Sequence, residues 1–433
     1  MKKSLILVVT SLALLVGCGK ADKPKPPPVV ETPKQIVTTN TGWESTWQEL
    51  SQKFDGVPKY SGAFGTYTNK HRPVAIQGNG EVFTTFSDNL EGNLNIWVTK
   101  GNERTLVHTF YDWQDPHNNA AINIDPDGYI MLHIASRGIP SKDKNGAVYK
   151  SSEPYSIESF DCFAGDCNDG EIWDESYPQP HNTAWGYHTM YTDYLPTVKD
   201  ETSCCVWYRS QWSKKGDERT QLTTGAHYQI SYYSDLTKTL YTAYNYHIKN
   251  KADWRVNLHV LKTTDGSTWT NLDGEVMELP VYGNSESTLV FDSGDNYVYL
   301  KDIIVDKEGK LRVLYTESTS YDPTVGSRYI KEFVEGQGSK IITPVGHNYN
   351  SGSYFQGEDL YIGVGTFGID NYSGGDLSLY KLTEKGYTIE SKLSDGSNWS
   401  YLRPVKNGGL KGVVSEGASD ANLGSYHHYV EIK

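Results

Sequence analysis

His117 and Arg137 flank the stretch Asn118 to Ser136, which carries the turn signal Asp125-Pro126-Asp127-Gly128 at its centre. Proline presets φ near −65°, glycine admits positive φ, and both flanks are apolar, so the chain is predicted to double back as a β-hairpin. If the turn centres on residues 126 and 127, residue i faces residue 253 − i. His117 then lies opposite Ser136, with Asn118 and Arg137 adjacent at the open end. An imidazole beside a permanent cation is held neutral and can act as a base, and the guanidinium can bind an anion. The plainer alternative is a His and an Arg solvated at a sheet rim.

A second group follows. His181, His188, Tyr191 and Tyr194 precede a polar loop, 196–203, and then Cys204-Cys205-Val206-Trp207-Tyr208-Arg209. A hairpin centred on Asp200 sets Tyr191 against Arg209, where a neighbouring guanidinium favours the phenolate and suits the phenol to proton transfer. Further on, Tyr244, Tyr246, His247, Trp254 and Arg255 concentrate aromatic and cationic groups of the kind that stack on sugar faces and pair with acidic substituents. Asp115, Asp193 and Glu317 are carboxylates available for hydrolytic chemistry, but no spacing singles them out.

The elements that position these groups are predicted to be strands. The chain has 433 residues with 32 Tyr, 11 Trp and 41 Gly but only 4 Met, a balance that favours strands and turns. Three segments share a Gly-containing polar turn followed by alternating β-formers: 78–86, 125–132 and 306–314. Asp265-Gly-Ser-Thr-Trp269 recurs as Asp395-Gly-Ser-Asn-Trp399. These read as shortened Asp-boxes, in which Asp caps the turn, Gly permits it and Trp packs between blades. The fold class is therefore all-β, a β-propeller, with a β-sandwich pair or a right-handed β-helix as alternatives; the repeats do not set the number of blades, and seven is the expectation. Seven units of about 56 residues each would hold four strands with generous loops.

The N-terminus reads as a bacterial lipoprotein signal, residues 1–17, with Cys18 as the lipidated residue. Residues 18–42 form a Pro-rich tether and residues 43–433 one catalytic propeller. The expected location is exported and membrane-anchored, at the outer membrane or cell surface, with membrane contact only through the lipid. A net charge of −13 argues against a nucleic-acid partner. Cys162, Cys167, Cys204 and Cys205 form an even set after Cys18, consistent with disulfides, with a zinc site as the alternative.

The order of His117-Asn118, Asp125-Pro-Asp-Gly-Tyr-Ile130, Tyr191, Trp207-Tyr208-Arg209 and Asp265-Gly-Ser-Thr-Trp269 resembles the BNR-repeat propellers that include the ulvan lyases. The resemblance covers residues 105–270 by motif and the remainder only in style. It implies β-elimination of a uronic-acid-containing polysaccharide, sulfated and algal in type. His117 matches an active-site His, Tyr191 the catalytic Tyr, and Arg209 the Arg that neutralises the uronate carboxylate. Two departures stand out. Arg137 replaces a second His, with His133 the nearest imidazole, and the Tyr191 to Arg209 interval is two residues longer, which makes Tyr194 a rival for the Tyr role and His188 a rival base. Asn118, Arg137, His188, Tyr194, Tyr244, Tyr246, His247 and Arg255 are then the expected substrate-binding residues. The scheme requires no metal, although a structural calcium or zinc is compatible with it. A monomer is expected. A sialidase-like propeller hydrolase and a non-catalytic glycan-binding lipoprotein are the alternative functions.

Overall fold

The computed structural model describes most of residues 72–348 and, outside that span, mainly the backbones of individual strands; residues 138–146, 166–174, 194–204 and 210–218 are among those outside the described set. The lipoprotein signal, Cys18 and Tyr194 also lie outside it, as do most of the tether and the Asp395 turn. The described residues are built from β-strands and two short 3-10 turns, with no α-helix. None of their helices is long and apolar enough to cross a membrane.

The turns form for local reasons. Asp125 Oδ1 accepts the N–H groups of Asp127 and Tyr129 at 3.0 and 2.9 Å, and Gly128 takes φ +92°. The Asp306 turn repeats this arrangement, with Oδ1 accepting from Glu308 and Lys310 at 3.0 Å and Gly309 at φ +81°. In the Asp265 turn, Oδ1 takes the N–H groups of Ser267 and Thr268, both at 2.7 Å. Those N–H groups, Thr268 first, hold the Asp265 carboxyl below its ordinary pKa. Trp269 follows the turn and is 1% exposed, packed with Met190 and Leu222 on one side and Tyr244 and Leu261 on the other.

Antiparallel pairing gathers these hairpins into seven sheets of four or five strands among the described residues, besides one two-stranded parallel pair. The edge strands Ala75–Gly78, Ala120–Ile124, Glu175–Thr183, Ala226–Ser234, Tyr297–Val305 and Phe355–Gln356 contact one another in chain order. The Tyr361–Thr366 strand then meets Trp399–Pro404, and a parallel bridge from Ile76 to Lys406 completes the circuit. Apolar clusters fill the spaces between adjacent sheets. Ile122 and Leu132 pack on Ile96 and Val98, Ile230 and Val260 on Val298 and Val313, and Leu314 and Ile330 on Phe355. Burying each such side chain contributes about 1.5–3 kcal/mol, so the face-to-face stacking of sheets is the main source of cohesion. This is the propeller arrangement; a two-sheet sandwich or a β-helix would not return the last sheet to the first.

Inner strands surround a polar shaft. Arg72 crosses it from the Ala75 side to an ion pair with Asp302, a buried residue on the Tyr297–Val305 strand. Asp302 Oδ2 also accepts the Phe355 N–H at 2.7 Å, so one carboxylate joins three sheets. The circuit closes within a sheet that pairs Trp43–Glu49 with Tyr426–Ile432 and continues through Lys411–Glu416 to Trp399–Pro404.

Candidate functional site

All inner strands run in the same direction, so their first residues share one face of the ring. The hairpin predicted around Asp125 is present, but its register differs by one: Ala120 faces Ile134 and Ile124 faces Ile130, so paired residues sum to 254. The reason is the turn. Its loop has three residues, 126–128, with Gly128 in the left-handed region, rather than two. His117 lies before this ladder, in the 3-10 turn Pro116–Asn118, and is not paired across the hairpin with Ser136. Asn118 Nδ2 donates to the Arg137 carbonyl at 3.1 Å, and the Ser136 N–H to the Glu175 carbonyl at 3.1 Å, tying the hairpin end to the next sheet.

Asp115 lies between His117 and Arg137, an arrangement that the pairing arithmetic did not anticipate. Its Oδ1 accepts the His117 backbone N–H at 2.9 Å and also meets His117 Nδ1, while Oδ2 is 3.8 Å from Arg137. Burial alone would raise the Asp115 pKa. Hydrogen bonds from the His117 ring and backbone, with the charges of His117 and Arg137, outweigh it and leave the carboxyl below its ordinary value. An ionised carboxylate can only accept, so Nδ1 carries a proton, and Nε2 is the ring nitrogen that serves as the base when the imidazole is neutral. The Asp115 carboxylate thus intervenes between His117 and Arg137, the two groups expected to neighbour each other. His117 is 5% exposed, whereas the Asp115 and Arg137 side chains are each 32% exposed, so the open part of this cluster is a carboxylate and a guanidinium.

The second hairpin also differs from expectation. Tyr191 pairs with Trp207 and Arg209 with Thr189, a shift of two that keeps positions 191 and 209 on one face of the sheet. Tyr191 is fully buried. The ring packed against His117 is that of Tyr177, with centroids 6.0 Å apart. Tyr177 occupies a β-bulge between Ser176 and Gln179 at φ +58°, a costly conformation for a bulky residue and one that tends to mark functional sites. Sequence reading passed over it because Ser176-Tyr177-Pro178 looks like an ordinary strand.

From His117 an aromatic row continues around the shaft. Tyr177 meets Tyr228 at 5.3 Å, Tyr228 meets His247 at 5.2 Å, and Arg255 lies 3.8 Å over Tyr228 and 5.1 Å from Tyr299. Tyr177, Tyr228 and Tyr299 each stand third in their inner strands, a repeat in space that differing neighbours hide in sequence. His247 and Arg255 are thus joined to the His117 region by this row. Tyr246 is half-buried beside Tyr282, whose hydroxyl donates to it at 2.9 Å. Tyr244 is not part of the row. It is fully buried, stacked on His259 and bonded to Thr288, and burial raises its pKa. His188 pairs with His181 near the opposite end of its sheet, beside Trp185. His133 is enclosed, 3.0 Å from Glu175. The Arg209 side chain lies outside the described residues.

The carboxylates considered for hydrolysis are each engaged: Asp115 with His117, Asp193 with Arg219 at 3.6 Å, and Glu317 with Lys331. Among the described residues no group of three or more His, Cys, Asp or Glu is placed to hold a metal. Cys162 is disulfide-bonded; Cys167 and Cys204 lie outside the described residues.

The architecture is that of a propeller, with the Asp115–His117–Arg137 cluster at the head of an inner strand. Among solved structures, the chain is similar to a PL25 polysaccharide lyase, an ulvan lyase, with a TM-score of 0.63 at 15% identity, covering 85% of this chain and 94% of that one. A second structure of that type, bound to a GlcA(1-4)Rha3S repeat, has a TM-score of 0.62 at 15% identity, with the same coverage of 85% and 94%. The polysaccharide lyase Uly1 follows, with a TM-score of 0.61 at 13% identity over 93% of this chain and 100% of its own. At these identities the likeness concerns the fold. The sequence matches no protein-family model, and no curated protein shows significant similarity to it.

Proposed function

We propose that the protein is a polysaccharide lyase that cleaves a uronate-containing polymer by β-elimination. The observation that carries this reading is the Asp115–His117 pair beside Arg137, at the head of the inner strands of a lyase-like propeller. Asp115 fixes the ring so that Nε2 can accept a proton. Arg137 pairs with the uronate carboxylate, spreading negative charge and acidifying the adjacent carbon-bound proton. His117 Nε2 takes that proton, its bonding pair forms the new carbon–carbon double bond, and the bond to the 4-linked oxygen breaks. A tyrosine hydroxyl protonates the leaving oxygen. Resemblance favours Tyr191 for this step and proximity to His117 favours Tyr177; by resemblance, Arg209 shares the carboxylate.

Ultraviolet absorbance on a panel of uronate polysaccharides, ulvan included, tests the reading. Elimination creates an absorbing unsaturated uronate, hydrolysis releases fragments without it, and a binding protein releases none. His117→Ala is expected to abolish the signal with folding intact, and Tyr177→Phe compared with Tyr191→Phe identifies the acid by which variant loses ~10²–10⁴ in rate. The proposal includes export and lipid anchoring through Cys18, so that Cys18→Ala releases the protein from the membrane fraction.

A further inference from the structure

Three aromatic side chains gather at one place on the surface, Tyr321 exposed and Trp254 and Tyr297 half-buried. Tyr321 is 45% exposed, and its ring meets Trp254 at 5.2 Å and Tyr297 at 5.8 Å. Lys251 Nζ lies 3.9 Å from the centre of the Trp254 ring. The rings come from separate segments: the turn before the Arg255–Thr263 strand, the first residue of the Tyr297–Val305 strand, and the loop after Leu311–Ser318. Such surface ordinarily goes into a core, and an aromatic cluster that stays partly in solvent marks a contact site.

The cluster is held from beneath. Asn348 is 1% exposed, and its Nδ2 is 3.0 Å from the Tyr321 carbonyl and 3.1 Å from the Tyr299 hydroxyl, while its Oδ1 accepts from Arg328 Nε at 2.5 Å. Arg328 donates to the carbonyls of Asp322 and Val325, both at 2.6 Å. Tyr299 donates to the Asp253 carbonyl at 2.8 Å, which fixes the turn carrying Trp254. A buried network thus sets the position of both loops, so little ordering remains when a ligand arrives. Continuity identifies the ligand class: Arg255, the residue after Trp254, lies over Tyr228 in the row leading to His117.

We propose that Trp254, Tyr297 and Tyr321 form a stacking platform for a pyranose ring of an anionic polysaccharide, removed from the His117 cluster, with Lys251 attracting an acidic substituent. The apolar face of a sugar ring lies flat on an aromatic ring while its hydroxyls stay in water. The inference rests on the proposed lyase activity for the polymer's class, but binding can be measured apart from cleavage.

Affinity electrophoresis of the full chain in gels containing ulvan, with dextran as the neutral control, gives the direct reading. Tyr321→Ala and Trp254→Ala are expected to weaken retention by ulvan roughly three- to tenfold, with unchanged melting, and Tyr321→Phe to restore it. With substrate, KM for the polymer should rise by the same factor while kcat is kept, and the effect should shrink as oligosaccharides shorten. Unchanged retention and KM in Tyr321→Ala, an exposed position at which truncation leaves the core intact, would overturn the platform, as would failure of the wild-type protein to be retained. Retention that depends on Trp254 without any unsaturated product would uphold the platform and reject the lyase reading. Abolished cleavage with normal retention in His117→Ala would support both.

Discussion

One carboxyl group, Asp115, orients His117 through its ring and backbone and faces Arg137 with its other oxygen. Asp115→Asn keeps the shape but offers an amide where a pure acceptor is needed, so the imidazole loses its fixed tautomer. A fall in kcat of ~10²-fold or more with little change in KM is expected, from steady-state kinetics on the polymer. The same group gives a pH signature. Its folded pKa lies below the ordinary 3.8, so its stabilising effect is complete above 3.8 and lost as pH falls through the lower folded value. Denaturation followed from neutral to acid pH should show Asp115→Asn losing stability less steeply than the wild type in that window. Arg137→Gln is expected to lower kcat and kcat/KM together, because Arg137 stabilises the charge that develops on the uronate carboxylate; a rise in KM with kcat unchanged would leave it a binding residue only. His117 and Arg137 were legible from residue type and the turn between them. Asp115 was visible only as a loose carboxylate, although Asp-Pro-His already carries the signal of a side chain capping its own turn. Tyr177 was not legible, since its left-handed backbone depends on a bulge set by its neighbours in space.

The hairpin as an element decides which side chains meet. A turn of three residues instead of two moves every pairing in the ladder by one. Gly128 sustains that turn: at φ +92°, an added Cβ would lie 2.6 Å from the Tyr155 ring. Gly128→Ala should destabilise the protein by about 1–3 kcal/mol, measured by denaturant unfolding, and should reduce activity in the surviving folded fraction less than it reduces yield. The Asp-Gly turns were readable because each is a local contract between a carboxylate and two N–H groups. The pairing of Tyr191 was not, because the long segment 194–204 leaves its register to be set by the sheet. Nor was the alignment of Tyr177, Tyr228 and Tyr299, a relation that exists only once three inner strands stand side by side.

At the scale of the whole molecule, composition and repeated turns indicated an all-β propeller, while the contacts across the shaft belong to no single motif. The Arg72–Asp302 pair is one. Arg72→Ala would leave a buried carboxylate with only backbone N–H partners, and a loss of about 3–5 kcal/mol is expected from denaturant midpoints. Replacing both by Met and Leu should cost less than Arg72→Ala alone, and a double-mutant cycle checks this. The closing sheet has a consequence in time. Trp43–Glu49 emerges from the ribosome before every sheet it encircles, yet its partner, Tyr426–Ile432, is made after all of them. The early strand must wait with an open edge through synthesis of the six other sheets, and an unpaired edge is a template for pairing with another chain. Until the late strand arrives the ring is an open arc, so the completeness of synthesis is itself read out in whether the seam is sealed.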